Sequence, residues 1–205
     1  MSTLIGEDFL KKFSETYHGL VKLGYNDNPA LKKISFGKDG EISRLNAYSA
    51  VLAANLLEKM KGVRYLSRFG LILGNEKSPN KYLVKELMKQ VKERKYEFQD
   101  SVFVLRPSDL EIILDGKAPE KIAFKMKEGI IPFYSPQLKS ENNKRKVKDL
   151  DENGMPNFNE NGDKTLYVRE GGLLKFCDSE HGDFYCWDDN LAKPDDNFKL
   201  VVFLD

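Results

Sequence analysis

From Lys121 to Asp205 the chain alternates apolar and polar residues, and glycine pairs interrupt it at Glu128-Gly129, Asn153-Gly154, Asn161-Gly162, Gly171-Gly172 and His181-Gly182. Successive side chains of a strand point to opposite faces, so a period of two punctuated by turns predicts β-structure over this whole stretch. In Ile122-Ala123-Phe124-Lys125-Met126-Lys127 the even positions are apolar, while Lys121, Lys125 and Lys127 take the other face. In Thr165-Leu166-Tyr167-Val168-Arg169, Leu166 and Val168 share one face, and Tyr167 and Arg169 the other. The earlier run Arg64–Leu73 reads as one strand, with Tyr65, Phe69, Leu71 and Leu73 opposite Arg64 and Arg68. Each segment therefore carries a core face and an outer face bearing cations and rings.

Cations for phosphates and flat rings for unstacked bases are what binding a single-stranded nucleic acid requires. On this reading Arg64, Arg68, Lys125, Lys127 and Arg169 contact phosphates, and Tyr167, Tyr185 and Trp187 stack bases. Gln137–Lys148, poor in apolar residues, reads as a mobile basic loop whose Lys144, Arg145 and Lys146 add phosphate contacts. Outward lysines also serve simply to solubilise a sheet, and most aromatics of β proteins are core. The net charge of +1 conceals an asymmetry that bears on the choice. From Glu170 onward nine acidic residues oppose three lysines, a net of −6, whereas residues 1–169 hold 30 basic and 23 acidic residues, a net of +7. A basic body favours a polyanionic partner.

The 205 residues suit a single domain with its own core. We expect a helical N-terminal elaboration over 1–61 and a β-rich core over 62–205. Glu7–Leu23 has helical apolar spacing, Leu31–Phe36 is a short strand, and Ile42–Met60 is a helix ended by Gly62. Leu83, Val84, Leu87, Met88 and Val91 form the buried stripe of a helix over about 79–96, with Ser78 as cap and Pro79 in its first turn. Lys81, Lys85, Lys89 and Lys92 line another face of it, which is either a solvated face or a steering element. Ser101–Leu105 is a strand and Pro107–Leu114 a helical turn.

Other chemistry has little support. Asp149–Glu160 fits the spacing of a calcium loop, but Pro156 and the absence of a following helix favour turns between strands. Asp100 or Asp109 with Asp115 and Lys117 has the composition of a magnesium nuclease site, on a turn instead of a strand. Cys177 and Cys186 lie on adjacent candidate strands, where a bridge is geometrically feasible, although two reduced thiols suit a cytoplasmic protein. No leader, membrane span, phosphate loop or nucleophile motif is recognised. No catalytic residue, metal or cofactor is assigned, and the chain reads as a non-enzymatic protein of a host-cell cytoplasm.

From Arg64 onward the order of features resembles the OB-fold single-stranded DNA-binding proteins of tailed phages. The resemblance rests on Arg64–Leu73, the lysine-rich helix 79–96, Ile122–Leu138, Asp151-Glu152-Asn153-Gly154-Met155-Pro156, and Tyr167-Val168-Arg169-Glu170-Gly171 running to Trp187, with Phe198–Leu204 closing. It covers about two thirds of the chain by pattern and order. It implies an α+β chain with an OB-like five-stranded antiparallel barrel, an embedded helix, N-terminal helical additions and a role in DNA replication. Single-stranded DNA is then the partner, RNA being an equal match for the same contacts. Replication proteins are implied as further partners, although the family's acidic recruiting tail does not follow the apolar strand ending at Asp205, so either the tail is absent or this is a shortened version. The competing reading is a protein-interaction module, a phage structural or host-takeover factor with no nucleic-acid role. Convergence of Arg64, Lys125 and Arg169 on one groove separates the two.

Overall fold

The computed structural model describes residues 9, 11–16, 19, 35–36, 41–67, 69–73, 80–94, 103–134, 144–150, 156–168, 173–178, 184–187, 191–192 and 200–204. Its centre is helix α1, Ala47–Leu57, in which nine residues are buried. A helix that is apolar all round must sit inside the core, and Ala-Leu composition makes it a strong helix former there. Its start is set by a reciprocal cap: Ser49 N donates to Asn46 Oδ1 and Asn46 N donates to Ser49 Oγ, both at 2.7 Å. Asn46 is itself buried and donates through Nδ2 to the Ala192 carbonyl at 3.1 Å. The end of the chain thus helps seat this helix. Phe9 and Phe13, within a helical stretch, join the same core with stacked rings 5.7 Å apart.

Helix α2 is Lys81–Glu93, with Leu83, Val84, Leu87 and Val91 buried. The 3.6-residue stripe is as read from the sequence, but the cap is not. The N-cap position falls on Asn80, whose side chain makes no capping hydrogen bond, and residues 78 and 79 lie outside the described residues. Tyr48 of α1 stacks on Phe124 at 4.9 Å, fastening the helical centre to the β-rich half.

Fourteen strands are described. In chain order they are β1 Ser35–Phe36, β2 Glu41–Ser43, β3 Val63–Ser67, β4 Phe69–Leu73, β5 Phe103–Leu105, β6 Leu110–Leu114 and β7 Ile122–Met126. Then come β8 Phe133–Tyr134, β9 Lys144–Leu150, β10 Pro156–Phe158, β11 Lys164–Val168, β12 Leu173–Asp178, β13 Phe184–Trp187 and β14 Leu200–Leu204. They build a four-stranded sheet in the order β1-β2-β14-β3, a two-stranded β6-β7 hairpin, and an eight-stranded sheet in the order β10-β9-β11-β13-β12-β4-β5-β8.

The chain is therefore α+β, and among the described residues no sheet closes into a barrel. Pairing is antiparallel except between β11 and β13, which run parallel. The expected strand Arg64–Leu73 is two strands in two sheets: β3 pairs with β14, and β4 with β12 and β5. Pro107–Leu114 holds only a 3₁₀ turn, Pro107–Asp109, before becoming strand β6.

The basic segment also differs from expectation. Lys144–Leu150 is strand β9, paired on both sides, instead of the end of a mobile loop. Val147 explains this: it is fully buried, and one apolar anchor with two neighbouring strands suffices to order a basic segment. Strands β9 and β10 pair antiparallel with Asp149 opposite Asn157, residues 151–155 between them lying outside the described residues, and the turn Asn159–Gly162 is closed by Gly162 N donating to Asn159 O at 2.9 Å. Gly162 is obligatory there, because a Cβ would collide with the Val147 carbonyl.

Candidate nucleic-acid interface

Register places five of the candidate residues on one parity of the eight-stranded sheet. One line across the strands reads Lys144, Tyr167, Tyr185, Cys177, Phe69. A neighbouring line reads Trp187, Lys175, Leu71, Leu105, and on the other flank Lys146 pairs with Thr165. Strand spacing puts the backbone positions of Tyr167 and Tyr185 about 5 Å apart, and Trp187 about 7 Å beyond Tyr185.

Burial separates the two faces of this sheet at the β9–β11 end. Val147 and Leu166, of the opposite parity, are fully buried. Lys146 is exposed, and among the described residues its Nζ reaches the Thr165 hydroxyl alone, at 3.4 Å. Lys146, which shares its parity with Lys144, Tyr167, Tyr185 and Trp187, is thus exposed on the side opposite Val147 and Leu166. Toward β4 and β5 the same parity turns dry: Phe103 and Leu105 are buried in the core that α2 completes.

Other candidates fall elsewhere. Arg145 pairs with Leu166 and so takes the opposite parity from Lys144 and Lys146. Arg64 is exposed on β3, opposite Phe203 in the four-stranded sheet. Lys125 lies on the hairpin and pairs with Glu111 at 2.8 Å, while Lys127 pairs with Glu58 at 2.6 Å. Arg68 and Arg169 are outside the described residues. Arg64 and Lys125 stand on separate sheets. An ion pair subtracts from a lysine's attraction for phosphate because the carboxylate must first be displaced.

The acidic candidates have structural occupations. Asp109 is buried and accepts from Arg106 N, Nε and Nη2 at 2.8 to 3.1 Å. Asp115 accepts the Tyr82 hydroxyl at 2.6 Å and the Lys117 N–H at 3.0 Å. These bonds, the Tyr82 one foremost, hold its carboxyl below the usual range. No three His, Cys, Asp or Glu side chains come together as a metal set among the described residues. The cysteines sit at adjacent register positions of opposite parity, Cys177 opposite Tyr185 and Cys186 opposite Phe176, which is not the register of a cross-strand bridge.

An open depression of about 560 Å³ lies beside the hairpin, lined by Arg94, Lys125, Met126, Glu128, Gly129 and Ile130. Its cations are engaged. Arg94 donates to the carbonyls of Ile130 and Met126 at 2.9 and 2.8 Å, and Gln90 bridges Phe124 O and Met126 N. Helix α2 thereby satisfies the outer edge of β7, which would otherwise template further pairing.

No described helix is long and apolar enough to cross a membrane. No family model, curated protein or solved structure matches the chain.

Proposed function

We propose that the chain is a non-enzymatic, sequence-tolerant single-stranded DNA-binding protein whose platform is the open end of the eight-stranded sheet. The observation that carries the reading is the shared parity of Lys144, Lys146, Tyr167, Tyr185 and Trp187 opposite the buried Val147 and Leu166. Cations flank rings there at spacings that suit phosphates on either side of stacked bases. Lys125, Lys127 and Arg64 then play at most an outlying part, and an OB-like arrangement of the strands is the finer fold reading that accompanies the proposal. Replication proteins and a phage setting enter on the pattern resemblance alone.

Trp187 is the single tryptophan, so its fluorescence reports the platform directly. Titration with oligothymidylate at low salt is expected to quench it, and affinity should fall as salt rises. Stacking is worth about 1–3 kcal/mol per base, so Trp187→Ala should weaken binding ~5- to 150-fold. Absence of both quenching and salt-dependent binding would sink the reading.

A second reading rests on a separate observation. Ile113, Leu114, Ile131 and Phe203 are large apolar side chains at 36, 44, 70 and 47% exposure. A protein-interaction module presents such residues to a partner, with the outward cations only solubilising. It takes over if the titration is silent and mutation of these residues abolishes a pull-down interaction.

A further inference from the structure

We propose that helix α2 is a second wall of the same site, its lysine stripe carrying the phosphate backbone of a strand too long for the sheet platform alone; this rests on the nucleic-acid reading above. The helix stands on the correct side of the sheet. Its Leu83, Val84, Leu87 and Val91 share a core with Phe103 and Leu105, which have the parity of Lys144, Tyr167 and Trp187. It packs against β4 and β12, and β12 is the strand whose Lys175 pairs with Trp187. The helix therefore rises from the platform face where the open end meets the dry end.

The stripe is directed away from the helix's other neighbour. At about 100° per residue, Lys81, Lys85 and Lys92 fall on the far side of the helix from Gln90 and Arg94, the residues that grip β7. All four lysines are exposed. Only Lys89 has a carboxylate near, Glu93 at 3.8 Å, and that pair is more than 60% exposed on both sides. Among the described residues Lys81, Lys85 and Lys92 form no ion pair, unlike Lys125 and Lys127. Among the described residues the charge of the stripe is thus answered only at Lys89, and its repulsion within one helix face is relieved by a polyanion. A nucleic-acid backbone, with charges repeating along a line, matches a linear row of cations better than a compact acidic patch does.

Length dependence tests this. Wild type, the variant K81Q/K85Q/K89Q/K92Q and the corresponding four-arginine variant are titrated with oligothymidylates of about 5 and about 20 nucleotides across a salt series. Glutamine and arginine keep helix propensity, and circular dichroism checks the fold. With the long strand the slope of log K against log salt should fall by about 3 units in the glutamine variant, some 0.7 per lysine, and stay at wild type with arginine. With the short strand it should not change. A wild-type slope with the long strand in the glutamine variant overturns the proposal while leaving the platform intact. An equal fall at both lengths also overturns it, because the lysines would then touch the same few nucleotides as the rings. Failure of wild type to bind either strand ends the nucleic-acid reading itself.

Discussion

The β6–β7 hairpin and the β9–β11 ladder are both short antiparallel pairs that carry lysines, and they differ in what answers those lysines. On the hairpin Lys125 meets Glu111 across the strands, and Lys127, just beyond β7, meets Glu58 at the end of α1. On the ladder, among the described residues, Lys146 meets a threonine hydroxyl and no carboxylate. The hairpin is also fastened along its edge by Gln90 and Arg94, so its polar groups are spent on the fold. The ladder is held from one side, through Val147 and Leu166, and Lys146 is exposed on the other. Basicity along a strand is therefore a poor guide to available charge, and a partner's position decides between the two.

The largest expected effect comes from removing the ladder's anchor. Leu166 is fully buried, so Leu166→Ala should cost about 2–5 kcal/mol of stability, read as a lower urea midpoint with an unchanged m-value. A cost below about 1 kcal/mol would mean that the closed face is not packed, and the distinction between the two faces would fail with it.

Next in size is the salt slope of DNA binding. Lys144→Gln with Lys146→Gln removes two same-parity cations and should lower it by about 1.4 units, 0.7 for each contact on a single strand. Arg145→Gln, one residue away but of opposite parity, should leave it unchanged. Equal slopes for the two variants would show that parity does not select the contacts. Base preference should hold in both, since phosphate contacts carry no sequence information.

A smaller gain sharpens the contrast from the hairpin side. Lys125 and Glu111 are 57 and 43% exposed, so their pair adds little to stability. Glu111→Gln frees the lysine at small structural cost. If the long strand passes the hairpin, the salt slope should rise by up to about 0.7 units; if it does not, the slope should stay level and Lys125 drops out of the site.

What the sequence disclosed follows the range of the forces involved. Helix α2 was legible because Leu83, Leu87 and Val91 announce their face within a few residues. The strand parity of Leu166 and Tyr167 was legible for the same reason. Strand β9 was not, because its order depends on Val147 finding neighbours in β10 and β11 instead of on its own apolar content. Nor was the change of sheet between β3 and β4, which follows their pairing with β14 and β12, more than a hundred residues downstream. Ion pairing of Lys127 was hidden similarly, since Glu58 is 69 residues away. Long-range pairing also decided which cations stand together: Arg145 has the same local composition around it as Lys144 and differs only in register.

The last expectation concerns the clip between α2 and the turn after β6. The Tyr82 hydroxyl donates to Asp115 at 2.6 Å, and that hydrogen bond, followed by desolvation, pushes the tyrosine pKa up to about 12. A group whose pKa is raised on folding contributes stability that is complete below its unfolded value, near 10, and disappears as pH climbs through the folded one. Asp115, held low, acts at the opposite end, its contribution present above the ordinary carboxylate pKa and lost as pH falls. The wild type should therefore lose stability between about pH 10 and 12 in part through this contact. Tyr82→Phe removes the ionising hydroxyl and should show a shallower decline over that window, measured by urea midpoints at stepped pH. It should also shed part of the acid-side loss, because Asp115 no longer gains from the bond on folding. Both ends of the pH profile thus report one contact on the fastened side of the molecule. The salt slope for DNA at neutral pH should be the same in Tyr82→Phe and wild type if the hairpin and the ladder are as independent as their pairing implies. A shifted slope would mean that the clip positions the lysines of α2, which follow it along the helix.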